Sequence, residues 1–158
     1  IVNLGRPLNT ISNALLLVQE VLDHNPVLVL IELGGNEFIS GVHINTVRRQ
    51  LIELISVLRK ARISVVVLVA INPDMINYTG ISHPLFNRNN DALEYFETLI
   101  DVADMFKLPT VPYLLEGVWG EKNLMYDDLH PNGLGYLRMN ENILNSLRSF
   151  FMFNKLLR

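Results

Sequence analysis

Two continuously apolar runs constrain the fold of this chain more than any other feature: "PVLVLIEL" (26–33) and "SVVVLVAI" (64–71). Runs of strand length, rich in Val, Ile and Leu and without polar alternation, suit strands covered on both faces. Between them Val47, Leu51, Leu54, Ile55 and Leu58 recur at helical spacing, so Asn45 or Thr46 is expected to cap a helix ending near Ala61. Strand, crossover helix and strand make the parallel βαβ unit.

The rest of the chain continues the alternation. "IVNL" (1–4) reads as a strand, and Ile11, Leu15, Val18 and Leu22 predict a helix from about Thr10 to His24, capped by Asn9 or Thr10. A polar loop (72–90) leads to a helix near 91–106 bearing Leu93, Phe96, Leu99, Ile100 and Ala103. "PTVPYLL" (109–115) is a short last strand containing Pro112, and a final helix spans about 134–152. The expected fold is therefore α/β, a three-layer doubly wound parallel sheet, forming one domain over residues 1–158. In such sheets ligands bind beyond the carboxyl ends of the strands.

Composition narrows the function classes. A hydrophobic content of 49% with 18% charged residues describes a globular chain. The net charge of −3, with no basic run longer than Arg48-Arg49, leaves no electrostatic footprint for nucleic acid. Zero cysteines exclude disulfides, thiolate-bound zinc and a thiol nucleophile. The apolar runs are too short to span a bilayer. No signal peptide is visible, but Ile1 already lies inside a strand-like segment, so a native N-terminus is expected to lie upstream.

Chemistry concentrates at the predicted strand ends. After the second strand, "IELGGNEF" (31–38) supplies Gly34 and Gly35 for a sharp turn and close backbone approach to substrate, and Asn36 as a neutral amide donor suited to an oxyanion. After the last strand, "MYDDLHPNGLGY" (125–136) places Asp127 and His130 one turn apart, a carboxylate that can hold one ring nitrogen protonated and leave the other as a general base. Pro131 biases His130 toward extended backbone. Each motif alone has an ordinary structural reading, a tight turn or a surface loop; together they face one crevice. Val118 and Trp119 flank the second loop, where lining an acyl pocket and packing a core are equally open. Tyr78, Ile81, Leu85 and Phe86 make the 72–90 loop apolar enough for a lid over an acyl chain, and His83 lies in the same loop. His24 is expected at a helix end and His43 in a loop. Asp127, Asp128 and His130 have ligating chemistry, but no further His or carboxylate stands at metal-site spacing, so no metal is expected.

These blocks resemble the SGNH (GDSL-type) hydrolases, most closely their bacterial thioesterase I/arylesterase/lysophospholipase branch. "LIELGGNEFISG" looks like the branch's Gly-x-Asn-Asp block, "KLPTVPYLLEGVWGEKNLMYDDLHPNGLGY" is similar to its final strand, loop and Asp–x–x–His–Pro block, and "IVNLGRPLNT" looks like its second block. The resemblance implies a flavodoxin-like sheet of order 2-1-3-4-5 and serine-dependent hydrolysis of esters or thioesters without a cofactor. It implies His130 as general base, Asp127 as its orienting partner, Asn36 as oxyanion donor, and the backbone N–H at Leu8 as a second donor where the family has Gly. Glu37 stands where the family has Asp.

Two departures set further expectations. Leu8 in place of the family's Gly raises the question whether the local φ/ψ tolerates a side chain and whether that side chain crowds the acyl group. No Gly-Asp-Ser occurs, and none of the seven serines, Ser40 included, stands where the family's nucleophile does, so the first strand and nucleophile are expected upstream of Ile1. Without that central strand the remaining residues are expected to leave an unpaired edge or to collapse into a four-stranded compromise. The fragment by itself is then expected to be inactive. The alternatives are a non-catalytic SGNH-like domain that binds acyl or glycan ligands, and a flavodoxin-like binding domain, against which the lack of a Gly-rich phosphate loop argues. The resemblance is consistent with a periplasmic or secreted bacterial protein; the residues select neither a compartment nor an oligomeric state.

Overall fold

Strands β1 (Leu28–Glu32), β2 (Ser64–Leu68) and β3 (Thr110–Val111) form a parallel sheet in the order β1-β2-β3. The computed structural model describes residues 1–70 and 89–153; the lid residues expected in the 72–90 loop, and His83, lie outside the described residues. β1 and β2 pair in register from Leu28↔Ser64 to Glu32↔Leu68, and β2 pairs with β3 through Val67↔Thr110 and Leu68↔Val111. Pro112 has no N–H to donate, and the last strand ends at Val111 instead of continuing to Leu115.

Side chains alternate across the sheet. Val65, Val67, Val69, Val29 and Ile31 point to one face, where α4 (Ile44–Lys60) and α5 (Asn89–Met105) cover them. Helix α4 buries Val47, Leu51, Leu54, Ile55 and Leu58, the expected stripe, and removing the side chain of fully buried Ile55 costs about 3 kcal/mol. Its cap is neither Asn45 nor Thr46. His43 takes the position, its Nδ1 accepting the Asn45 N–H at 3.2 Å, an acceptor role open to a neutral imidazole.

The opposite face carries Val66, Leu68 and Leu28 under α6 (Gly133–Phe153). Here the sequence expectation of two-sided burial fails for β1. Leu30 is 45% exposed, because α6 packs over β2 and β3 and does not reach that far along β1. "IVNL" is not a strand: Ile1 to Leu4 lie outside the sheet with Ile1 and Val2 exposed, so among the described residues the sheet has three strands, not four. Strand propensity yields no ladder without a neighbour to receive its hydrogen bonds.

The expected helix over 10–24 is two short ones, α1 (Ile11–Leu16) and α2 (Val18–Asp23), broken at Leu17. Thr10 begins α1 with a reciprocal capping box with Asn13. Helix α3 (Gly35–Ser40) follows β1 and includes Ser40 as its last residue. His24 closes α2 as expected. No described helix is long and apolar enough to cross a membrane.

Candidate active site

The turn from β1 into α3 depends on Gly34. Its φ of +107° suits glycine alone, and a Cβ there would stand 3.0 Å from Leu99 Cδ1. Gly34 is buried against α5, while Gly35, with open space where its Cβ would be, starts α3. Asn36 and Glu37 follow in the first turn of α3, at the carboxyl end of β1.

Asn36 reaches back to the segment before α1, its Nδ2 donating to the Asn9 carbonyl at 2.8 Å. One of its two N–H groups is thereby used, and the second has no partner among the described residues. Leu8, one residue earlier, has a left-handed backbone with φ +60° and is 84% exposed. This conformation costs a residue with a Cβ about 1 kcal/mol. A left-handed residue at this position answers the question raised by the Gly-to-Leu departure: the local backbone accepts the side chain, at that cost. The Leu8 N–H has no partner among the described residues.

On the other side, the loop after β3 holds Asp127 and His130 together. His130 Nδ1 lies 2.9 Å from Asp127 Oδ2 and 3.0 Å from Oδ1. An ionised carboxylate only accepts, so Nδ1 carries a proton, and in the neutral ring Nε2 is then the nitrogen with the lone pair. Asp127 Oδ1 also accepts the backbone N–H of Leu129 at 2.8 Å and of His130 at 2.6 Å. The His130 hydrogen bond first, then these backbone donors, hold the Asp127 carboxyl below its ordinary range. Both side chains remain open to solvent, 46% for Asp127 and 67% for His130. Neighbouring Asp128 is exposed.

This loop is built on a firm base. Tyr126 N–H donates to the His130 carbonyl at 2.7 Å, and Met125 bridges Pro131. Asn132 ties the loop to α6, donating to the Asn123 and Met125 carbonyls and accepting from the N–H groups of Leu134 and Gly135. Val118 is fully buried with Leu115, and Trp119, half-buried, packs beside them. Val118 thus supports the loop from beneath and exposes no surface to a crevice.

β1 and β3 flank β2, so the Asn36 and His130 groups follow strand ends standing about 10 Å apart at one end of the sheet. At this end the sequence reading gave Glu32 no role and did not foresee the burial of Glu37. Crowding by protein pushes the Glu32 carboxyl above its ordinary range, although the residue keeps an exposed surface that moderates the effect. Glu37 is 1% exposed, a burial with no signal in its polarity; only the apolar neighbours in "NEFI" hint at it. Among the described residues no three His, Asp or Glu side chains converge on a metal position.

The model of the GDSL-like lipase/acylhydrolase family matches residues 1–138. The crystal structure of TesA is similar at a TM-score of 0.74, with 26% identity over 89% of this chain and 73% of TesA. The psychrotrophic esterase EstA from Pseudoalteromonas sp. is similar at 0.75, with 19% identity over 95% of this chain and 77% of EstA. The acetylxylan esterase Axe2 from Geobacillus stearothermophilus is similar at 0.72, with 15% identity over 92% of this chain and 71% of Axe2. No curated protein matches.

Proposed function

The chain belongs to the GDSL-like lipase/acylhydrolase family, and we propose that the complete protein hydrolyses carboxylic esters or thioesters with a serine supplied by sequence upstream of Ile1. The observation that carries this reading is the Asp127–His130 pair, joined at 2.9 Å with Nε2 left as the basic nitrogen.

In this mechanism His130 Nε2 removes the proton from the serine hydroxyl as its oxygen attacks the substrate carbonyl. Asp127 holds the ring through Nδ1–H and stabilises the imidazolium that forms. The second N–H of Asn36 and the backbone N–H of Leu8 receive the developing oxyanion. His130 then protonates the departing alcohol or thiol, activates a water, and returns the serine as the acid leaves. No cofactor enters these steps. Small aryl or alkyl esters, acyl thioesters and lysophospholipids are the substrate classes the family suggests. By itself the 158-residue chain retains oxyanion donors and a base without a nucleophile, which supports at most weak catalysis.

The test is hydrolysis of p-nitrophenyl acetate and butyrate by the chain extended through its upstream coding sequence. His130→Ala and Ser→Ala at any Gly-Asp-Ser found there are each expected to lower kcat by about 10⁴. Full activity in both variants would overturn the reading. Leu8, with its exposed side chain in the place of glycine, favours one alternative, a non-catalytic domain that binds acyl or glycan ligands. Absence of an upstream serine, with retained ligand binding, would select it.

A further inference from the structure

The segment carrying Leu8 is fastened to α3 at two points, and both fastenings use side chains. Asn36 Nδ2 donates to the Asn9 carbonyl at 2.8 Å, and the Glu37 Oε1 accepts the backbone N–H of Ile11 at 2.5 Å. Among the described residues no backbone–backbone hydrogen bond joins residues 5–11 to α3. The Glu37 carboxylate is 1% exposed, and its Oε2 has no hydrogen-bond partner among the described residues.

That arrangement is costly. A buried carboxylate with one unmet oxygen is disfavoured, and a leucine of similar size would fill the space without the penalty. What leucine lacks is an acceptor for the Ile11 N–H. Three residues before Ile11, Leu8 holds a left-handed conformation on an exposed loop, a state that persists only when its flanks are fixed.

We infer that Glu37 is a positioning residue: by gripping the Ile11 N–H it fixes the Leu8 loop against α3 and so sets the Leu8 and Asn36 donors as one oxyanion site. This rests on the acyl-transfer reading given above. Glu37 touches no substrate; it acts through the loop. Asn36 then has two functions, one N–H holding the loop and the other facing the reaction, and Glu37 is the second anchor that stops the loop from pivoting about the first.

The test uses the full-length chain and two readouts. In Glu37→Leu, kcat for p-nitrophenyl acetate is expected to fall about 30- to 100-fold with KM within about twofold, the pattern of a lost transition-state donor. Amide exchange within residues 5–12 is expected to quicken about tenfold or more, with α4 and β2 unchanged. Glu37→Gln keeps a carbonyl acceptor at the same reach and is expected to recover most of the rate. Ile11→Pro removes the N–H from the other side, at a first helical position whose backbone suits proline and after an extended Thr10, and is expected to reproduce the loss in kcat. It also loses stability from the fully buried Ile11 side chain, read separately as a lower urea midpoint. Combined with Glu37→Leu it is expected to lower kcat no further. An unchanged kcat in Glu37→Leu, a KM that rises alone, or exchange that quickens throughout the chain would overturn the inference. If the unsubstituted full-length chain hydrolyses neither ester, the acyl-transfer reading falls, and the exchange of residues 5–12 alone decides whether Glu37 is the clamp.

Discussion

The two ends of the sheet use left-handed backbone for different purposes. Where helices run into strands, Asn25, Arg62 and Lys107 take positive φ just beyond α2, α4 and α5, turning the chain and leaving the side chains exposed. At the other end, Gly34 after β1 and Leu8 on the segment before α1 take positive φ, one buried against Leu99 and the other exposed next to Asn9, whose carbonyl Asn36 holds. At the first end the strain only ends a helix, and Asn, Arg or Lys bears it. At the second it fixes where backbone and amide donors stand, and the surroundings leave less freedom in the choice of residue.

Substitutions at the two ends should therefore separate. Gly34→Ala is expected to cost about 2 kcal/mol, from the positive φ and the 3.0 Å approach to Leu99, read as a lower urea midpoint. Equal stability of the variant would show that the turn can relax. Arg62→Gly and Leu8→Gly both release left-handed strain, and each is expected to stabilise by about 0.5 kcal/mol after glycine's gain in unfolded-state entropy. They should differ in function: Arg62→Gly leaves ester preference unchanged, whereas Leu8→Gly, by removing an exposed side chain beside the proposed oxyanion donors, is expected to raise the butyrate-to-acetate rate ratio about tenfold. A ratio unmoved by Leu8→Gly would put that side chain away from the acyl group.

The smallest effect lies at Asp127. Its folded-state pKa is depressed, so its contribution to stability is present above the unfolded carboxylate value of about 3.9 and is lost as pH falls through the lower folded value. Urea midpoints of Asp127→Asn should lie slightly below those of the unsubstituted chain at pH 6 and merge with them near pH 2. Solvent exposure of both partners keeps the difference small. A gap that persists in acid would assign it to the backbone hydrogen bonds and not to charge.

Much of this was legible in the residues. The runs at 28–32 and 64–68 and the α4 stripe declare themselves because each is satisfied locally by pattern and length. "IVNL" misleads because being a strand depends on a neighbour, which no local pattern encodes. The exposure of Leu30 is equally non-local, set by how far α6 reaches across the sheet. At the site, Asp127 and His130 are readable since one turn of chain brings them together. Glu37 is not, because its partner Ile11 is 26 residues away and its burial depends on how α1 meets α3. His43 as the cap of α4 was missed because imidazole is an uncommon acceptor at that position.

Asn132 gives the Asp127–His130 loop a dynamic identity. The same side chain accepts the first N–H groups of α6 and donates to two carbonyls of the 123–125 segment, and Gly135 sits so close to the Leu124 carbonyl that a Cβ would stand 2.2 Å from it. The first turn of α6 therefore cannot fray while the loop stays closed. Loop and helix start form one cooperative opening unit, and the lifetime of the closed unit limits how long the Asp127–His130 pair keeps its geometry.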